Sequence, residues 1–305
     1  FKQKTAYEML RSLVGSEMCI RDRASRRFRA QGLFIIIDIG DPGLLYVFRS
    51  ERKVRAAVFM DFDGVICDSL QECLASSWSA YYRLLREPRP RSVPRSLRER
   101  FSRLRPFARA AEDFVLIQEL IESGKEPRSQ AEFDRQRALR RSRLAAYRRS
   151  MYAVRGEQLR TDPSAWLGLH RLYPHVLQVL PKWIRRQGFH ILSTKRPRFI
   201  VRILDHYGLA LDPRRIIACL GGSKLGIIAR TMGRKDIRTA LFIDDQLDHL
   251  RPQPAPRGLK DRTVQRALAS WGYLRPEWVD GPLPSGIELL RPEQLASRLE
   301  AMLED

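Results

Sequence analysis

The stretch VFMDFDGVICDS, residues 58–69, decides how the rest of the chain is read. Together with the residues before it, VRAAVFM forms a short, β-prone apolar run of the kind a buried parallel strand needs. The run stops at Asp61 and Asp63, and Gly64 follows. Two carboxylates this close repel each other and lose hydration when buried, so something else in the molecule must offset them. Asp68 and Ser69 are N-cap residues for a helix over LQECLASSWSAYYRLL.

Downstream, the chain divides into two regimes. No strand-like run interrupts residues 71–170. FARAAEDFVLIQELIESG reads as an amphipathic helix closed by Gly124, and SQAEFDRQRALRRSRLAAYRRSMYAV as one further, strongly basic helix. REPRPRSVPRSLRERFSRLRP, with its prolines, cannot be one uninterrupted helix. After residue 170 the rhythm is helix then strand: FHILS, RIIACL and TALFI are strands, and VLQVLPKWIRRQG, PRFIVRILDHYG and KLGIIARTMG are helices. VQRALASWGY leads to a late strand, and RPEQLASRLEAML makes a closing helix. Such alternation implies a parallel sheet with crossover helices, an α/β fold. RPQPAPRG is expected to be a surface loop.

In open parallel sheets, ligands sit beyond the carboxyl ends of the strands. Four of the strands end there in polar groups: Asp61 and Asp63; Ser193, Thr194 and Lys195; GGSK with Lys224; and DDQLD with Asp244, Asp245 and Asp248. DFDGVICDS, ILSTK, GGSK and FIDDQLD, in this order, resemble the four motifs of the haloacid dehalogenase-like superfamily of phosphohydrolases. The resemblance runs from about Val54 to the C-terminus. ASWGY is similar to the phosphoglycolate phosphatase-like branch.

The resemblance implies a Rossmann-like parallel core over residues 54–70 and 171–305, with an inserted all-helical cap over 71–170. It also implies a Mg²⁺-dependent enzyme that cleaves a small phosphorylated metabolite through an aspartyl-phosphate. Asp61 would be the nucleophile and Asp63 the acid and base. Gly64 would let backbone approach the phosphate, Ser193, preferred over its neighbour Thr194, would bind a phosphoryl oxygen, and Lys224 would stabilise negative charge. The metal would be held by Asp61, the Asp63 carbonyl and an acid of the fourth motif. Relatives show Gly-Asp there; the strand end favours Asp245 and the distance to Asp248 favours Asp244, so both stand as candidates. A divalent cation bound by hard oxygen ligands is what would make the adjacent acids tolerable.

Composition sets the remaining bounds. The chain has 305 residues and 44% hydrophobic content, enough for one large domain or two medium ones. No apolar run is long enough to span a bilayer. Cys19, Cys67, Cys73 and Cys219 show no CxxC spacing, and with no secretory pattern the expected compartment is the cytoplasm. A net charge of +21 favours anionic partners. Between Arg83 and Arg160 there are 21 Lys/Arg against 10 Asp/Glu, which suits an anionic substrate. The alternatives are a phosphomutase using the same intermediate and a basic nucleic-acid-binding protein on a retired scaffold; the full set of chemical roles speaks against the latter. The five histidines, His170, His175, His190, His206 and His249, lack metal-ligand spacing and read as packing or surface residues. Arg103, Arg105 and Arg109 read as a solvated face. Residues 1–23 resemble read-through sequence at the ends of unrelated translations. The segment 1–53 is therefore set apart, with the native start expected anywhere up to Val54.

Overall fold

The computed structural model describes residues 25–30, 33–38, 45–49, 55–88, 92–219, 221–251 and 261–303. It divides into two units, Phe1–Arg52 and Lys53–Asp305. In the first, β1 (Ser25–Ala30), β2 (Leu33–Asp38) and β3 (Leu45–Arg49) form an antiparallel sheet in the order β1-β2-β3. The apolar run LFIIID is β2. The read-through expectation for residues 1–23 lies outside the described residues, as does the loop expected at RPQPAPRG from Pro252 onward.

The second unit is built on six strands: β4 (Ala56–Met60), β7 (Phe189–Ser193), β8 (Ile216–Ala218), β9 (Thr239–Asp244), β10 (Thr263–Ala269) and β11 (Ile287–Leu290). Their order is β11-β10-β9-β4-β7-β8, and every pairing is parallel. The sheet is therefore the Rossmann-like α/β arrangement expected. VQRALA, expected to precede the late strand, is itself β10. The chain starts at the centre with β4, winds outward through β7 and β8, then crosses back to β9 on the other side of β4. That reversal opens a crevice at the carboxyl ends of β4 and β9, the place where open α/β sheets bind ligands.

Alternate residues of each strand face opposite sides, and both sides are covered. Val58, Met60, Leu241 and Ile243 pack with Phe199, Ile200 and Ile203 on one face. Ala57, Phe59, Ala240 and Phe242 pack with Leu225, Ile228 and Met232 on the other.

A helical segment separates β4 from β7. It comprises α1 (Leu70–Leu85), α2 (Arg95–Leu104), α3 (Ala111–Glu122), α4 (Gln130–Leu139), α5 (Leu144–Thr161) and α6 (Pro163–Leu167). The chain leaves the sheet through β5 (Cys67–Asp68) and returns through β6 (Arg171–Leu172), and these two pair antiparallel. The single basic helix expected over residues 129–154 is instead two, α4 and α5, broken at Arg140–Arg143. At the break Arg140 and Arg143 both reach Glu119, at 2.5 and 3.0 Å. Among the described residues, four further α-helices lie between β6 and β10: α7 (Pro174–Trp183), α8 (Pro197–His206), α9 (Lys224–Lys235) and α10 (Leu247–Leu250).

Candidate active site

The strand β4 ends at Met60, and the chain turns sharply just beyond it. Asp61 is tied to the neighbouring strand by its N–H, which donates to Ile243 O at 2.9 Å. The N–H groups of Ile66 and Cys67 both donate to Phe62 O, at 2.9 and 2.8 Å, and Gly64 donates to Cys67 O at 2.8 Å. Gly64 adopts φ +89°, and a Cβ there would overlap Asp245 Oδ2. Gly272 packs from the opposite side, where a Cβ would overlap Asp245 Cβ. Two glycines far apart in sequence thus make the cradle for one carboxylate.

Asp61, Asp244 and Asp245 are buried together, each offering an oxygen within 4.8 Å of the others. A single ammonium serves them: Lys224 Nζ lies 2.7 Å from Asp244 Oδ2 and 3.0 Å from Asp61 Oδ1. The second contact lacks hydrogen-bond alignment, and Asp61 Oδ1 has no hydrogen-bond partner. Asp244 is well satisfied, accepting also from Gln246 N at 2.8 Å and lying 3.1 Å from His249 Nδ1. Burial works to raise its carboxyl, but Lys224 and His249 outweigh it and hold the group well below the usual range. Asp245 accepts the Tyr273 N–H at 3.0 Å on Oδ2, and the Arg105 charge acts on it from further off. Burial, then the Asp244 charge, pushes Asp245 well up, and burial also raises Asp61 against the pull of Lys224. Three buried carboxylates with Lys224 in contact and Arg105 further off are short of positive charge. Hard oxygen ligands from two strands fit a divalent cation such as Mg²⁺.

Next to this group lies another with the opposite balance. Lys195 Nζ is 3.0 Å from Asp63 Oδ1, 3.5 Å from Glu72 Oε2 and 3.3 Å from His170 Nε2. Arg155 from α5 grips Glu72 from α1 with a two-pronged contact, Nε to Oε1 at 2.7 Å and Nη2 to Oε2 at 2.8 Å. All of these side chains are buried. Burial alone would raise Asp63, yet Lys195 and Arg155 hold it below its ordinary value. His170 Nδ1 donates to Trp166 O at 3.1 Å, leaving Nε2 to accept from Lys195. Burial and the Lys195 charge lower His170 to about 4, so the ring is neutral at pH 7.

The two groups meet at a cavity of about 20 Å³, lined among others by Asp61, Asp63, Arg105, Thr194, Lys195 and Asp245. That is room for about one water. The structure thus brings Asp61, Asp63, Asp244, Asp245 and Lys224 into one cluster. Between the two candidate acids of the fourth motif, Asp245 faces the cavity, whereas Asp244 lies behind it and holds Lys224. Thr194 lines the cavity. Ser193 does not; its Oγ accepts from Lys195 N at 3.2 Å.

Several residues of the site had no role assigned from sequence. Lys195, named among the polar strand ends, was one of them. Arg105, read as part of a solvated face, is buried and stacks 4.0 Å over the Tyr273 ring; Arg103 does remain exposed. His249 and His170, read as packing or surface residues, contact Asp244 and Lys195. Glu72 and Arg155 carry no local signal, because a pair 83 residues apart has none.

No family model matches the chain, and no curated protein matches it. Solved structures do. A haloacid dehalogenase-like family hydrolase from Streptococcus pneumoniae is 14% identical over 81% of this chain and 99% of its own, with a TM-score of 0.45. A protein described as a predicted phosphoglycolate phosphatase from Haemophilus somnus is 14% identical over 82% and 99%, at 0.48. A HAD-superfamily hydrolase of subfamily IA from Geobacter sulfurreducens is 14% identical over 82% and 98%, at 0.42. Likenesses this distant decide nothing about activity, which has to be read from the site itself.

Proposed function

We propose that this chain is a Mg²⁺-dependent phosphohydrolase acting on a small phosphorylated substrate through an aspartyl-phosphate at Asp61. The observation that carries the reading is the excess of carboxylates at the sheet's crossover point: Asp61, Asp244 and Asp245 are buried together, Lys224 is the cation in contact with them among the described residues, and Asp61 and Asp245 line the cavity. Asp61, the Asp63 carbonyl and Asp245 would hold the metal. It would supply positive charge against the repulsion between a carboxylate and a phosphate anion.

Asp61 attacks phosphorus, forming the Asp61–phosphorus bond as the bond to the leaving oxygen breaks. Lys224, held by Asp244, stabilises negative charge beside Asp61. Asp63 starts ionised under Lys195 and Arg155, so it first accepts a proton from the phosphate monoanion and passes it to the leaving oxygen. In the second step Asp63 takes a proton from the water that cleaves the intermediate. Thr194, on the cavity wall, supplies the hydroxyl nearest the phosphoryl group, with Ser193 setting the turn behind it. Residues 71–170 act as a helical cap that opens to admit substrate, since the closed cavity admits only water. The free buried thiols of Cys67, Cys73 and Cys219 suit a cytoplasmic setting.

The test is phosphate release from p-nitrophenyl phosphate with Mg²⁺. Asp61→Asn should slow it by at least about a thousandfold, worth about 4 kcal/mol of barrier. Release at the parent rate would sink the covalent scheme.

A further inference from the structure

Beside the closed cavity lies a larger cleft of about 690 Å³, and the two share Arg109, Tyr152, Thr194 and His249 on their walls. The size is that of a ligand site rather than of a solvent channel. Five arginines line it, Arg109, Arg137, Arg148, Arg196 and Arg251, against Glu112 and Asp248. Three of the five are committed to structure. Arg109 bridges Asp134 and Asp248, at 2.9 and 2.7 Å, Arg137 holds Glu112 and Asp113, and Arg148 holds Glu112.

The other two are differently placed. Among the described residues Arg196 has no carboxylate partner; its guanidinium lies 4.0 Å over the Tyr152 ring. Tyr152 is fixed in turn by its hydroxyl, which donates to Thr194 O at 3.1 Å. Stacking holds the planar fork in place while leaving its N–H edge free, the arrangement that suits two-point recognition of an oxyanion. Arg251 has its nearest acid, Asp248, at 3.8 Å, and Arg109 already occupies that carboxylate. The two come from separate loops at the carboxyl edge of the sheet, after β7 and after α10, and both are exposed to the cleft.

We propose that this cleft receives the leaving group of the substrate, and that the leaving group carries a second anion, phosphoryl or carboxylate, held by Arg196 and Arg251. This deepens the phosphohydrolase reading and rests on it for the word substrate, but the binding itself does not need turnover. A neutral leaving group would leave two unpaired guanidiniums facing it and would gain nothing from them.

Equilibrium binding tests this, measured by calorimetry in the Asp61→Asn background so that bound ester persists. Two matched pairs serve as probes: fructose 1,6-bisphosphate against fructose 6-phosphate, and 6-phosphogluconate against glucose 6-phosphate. The member of at least one pair that carries a second anionic group should bind about tenfold tighter or more, and the pair that responds names that group as phosphoryl or carboxylate. Arg196→Ala/Arg251→Ala should erase that preference while leaving the members with an uncharged leaving group bound as before; because both side chains are exposed, its melting temperature should match the parent's. Equal affinities within both pairs would overturn the proposal, and so would a preference that survives the double substitution. Failure of the hydrolase reading would show separately, as unchanged p-nitrophenyl phosphate release in Asp61→Asn.

Discussion

Asp61 and Asp63 leave the same strand two residues apart and are about equally buried, at 6% and 9% exposure, yet their surroundings drive them in opposite directions. Burial therefore does not separate them; their neighbours do. Asp63 shares its surroundings with Glu72, and two carboxylates meet two cations, Lys195 and Arg155. Asp61 shares its surroundings with Asp244 and Asp245, and three carboxylates meet one cation in direct contact, Lys224, with Arg105 acting on Asp245 from further off. The first group is neutralised by the protein alone and locks the helical segment to the sheet. The second has more carboxylates than cations even with Arg105 counted. The first group anchors Asp63, the proposed acid and base; the second is where a metal is proposed to bind.

The balanced half is the easier to break. Arg155→Met leaves Glu72 buried without its partner and should destabilise the protein by about 3–5 kcal/mol in a denaturant titration. Glu72→Gln/Arg155→Met should recover most of that loss; if it is as unstable as the single variant, the pair is not what the stability depends on. The same pair has a pH signature. Burial would raise Glu72, but Arg155 and Lys195 hold it well below its ordinary 4.5. Its stabilisation is thus complete above pH 4.5 and is lost as pH falls through the lowered native value. Below pH 4.5 the parent should lose stability more steeply than Glu72→Gln, and parallel curves would refute the assignment.

The deficient half should respond to metal instead. Mg²⁺ at about 100 times its Kd should stabilise the parent by about 2.7 kcal/mol, read as a rise in melting temperature. Asp245→Asn should lose most of that rise. A parent indifferent to Mg²⁺ would mean that Lys224 alone suffices and would remove the contrast between the halves.

A smaller effect sharpens the comparison. Gly64→Ala combines a left-handed backbone with a collision against the Asp245 carboxylate, and should cost about 2 kcal/mol together with the Mg²⁺ response. Gly124→Ala is the control, with φ +66° and open space around it. It should cost about 1 kcal/mol and leave the Mg²⁺ response intact.

Much of this was written in one dimension. Short apolar runs alternating with helices sufficed for the parallel sheet, because strand burial on both faces requires that composition. The strand ends then displayed Asp61, Asp63, Lys224, Asp244 and Asp245 as motifs, since residues that must meet at a sheet edge are brought there by the strands that precede them. What the fold alone decided was the partnering. The return crossing from β8 to β9 put Asp245 against Gly64 and left Asp244 behind it with Lys224, a choice that the doubled aspartate left open. Only packing of α5 on α1 brought Arg155 to Glu72, and only the turn after α2 buried Arg105 beside Tyr273. Charge balance in a low-dielectric interior depends on distances of a few ångströms between residues remote in sequence, and no local pattern encodes those distances.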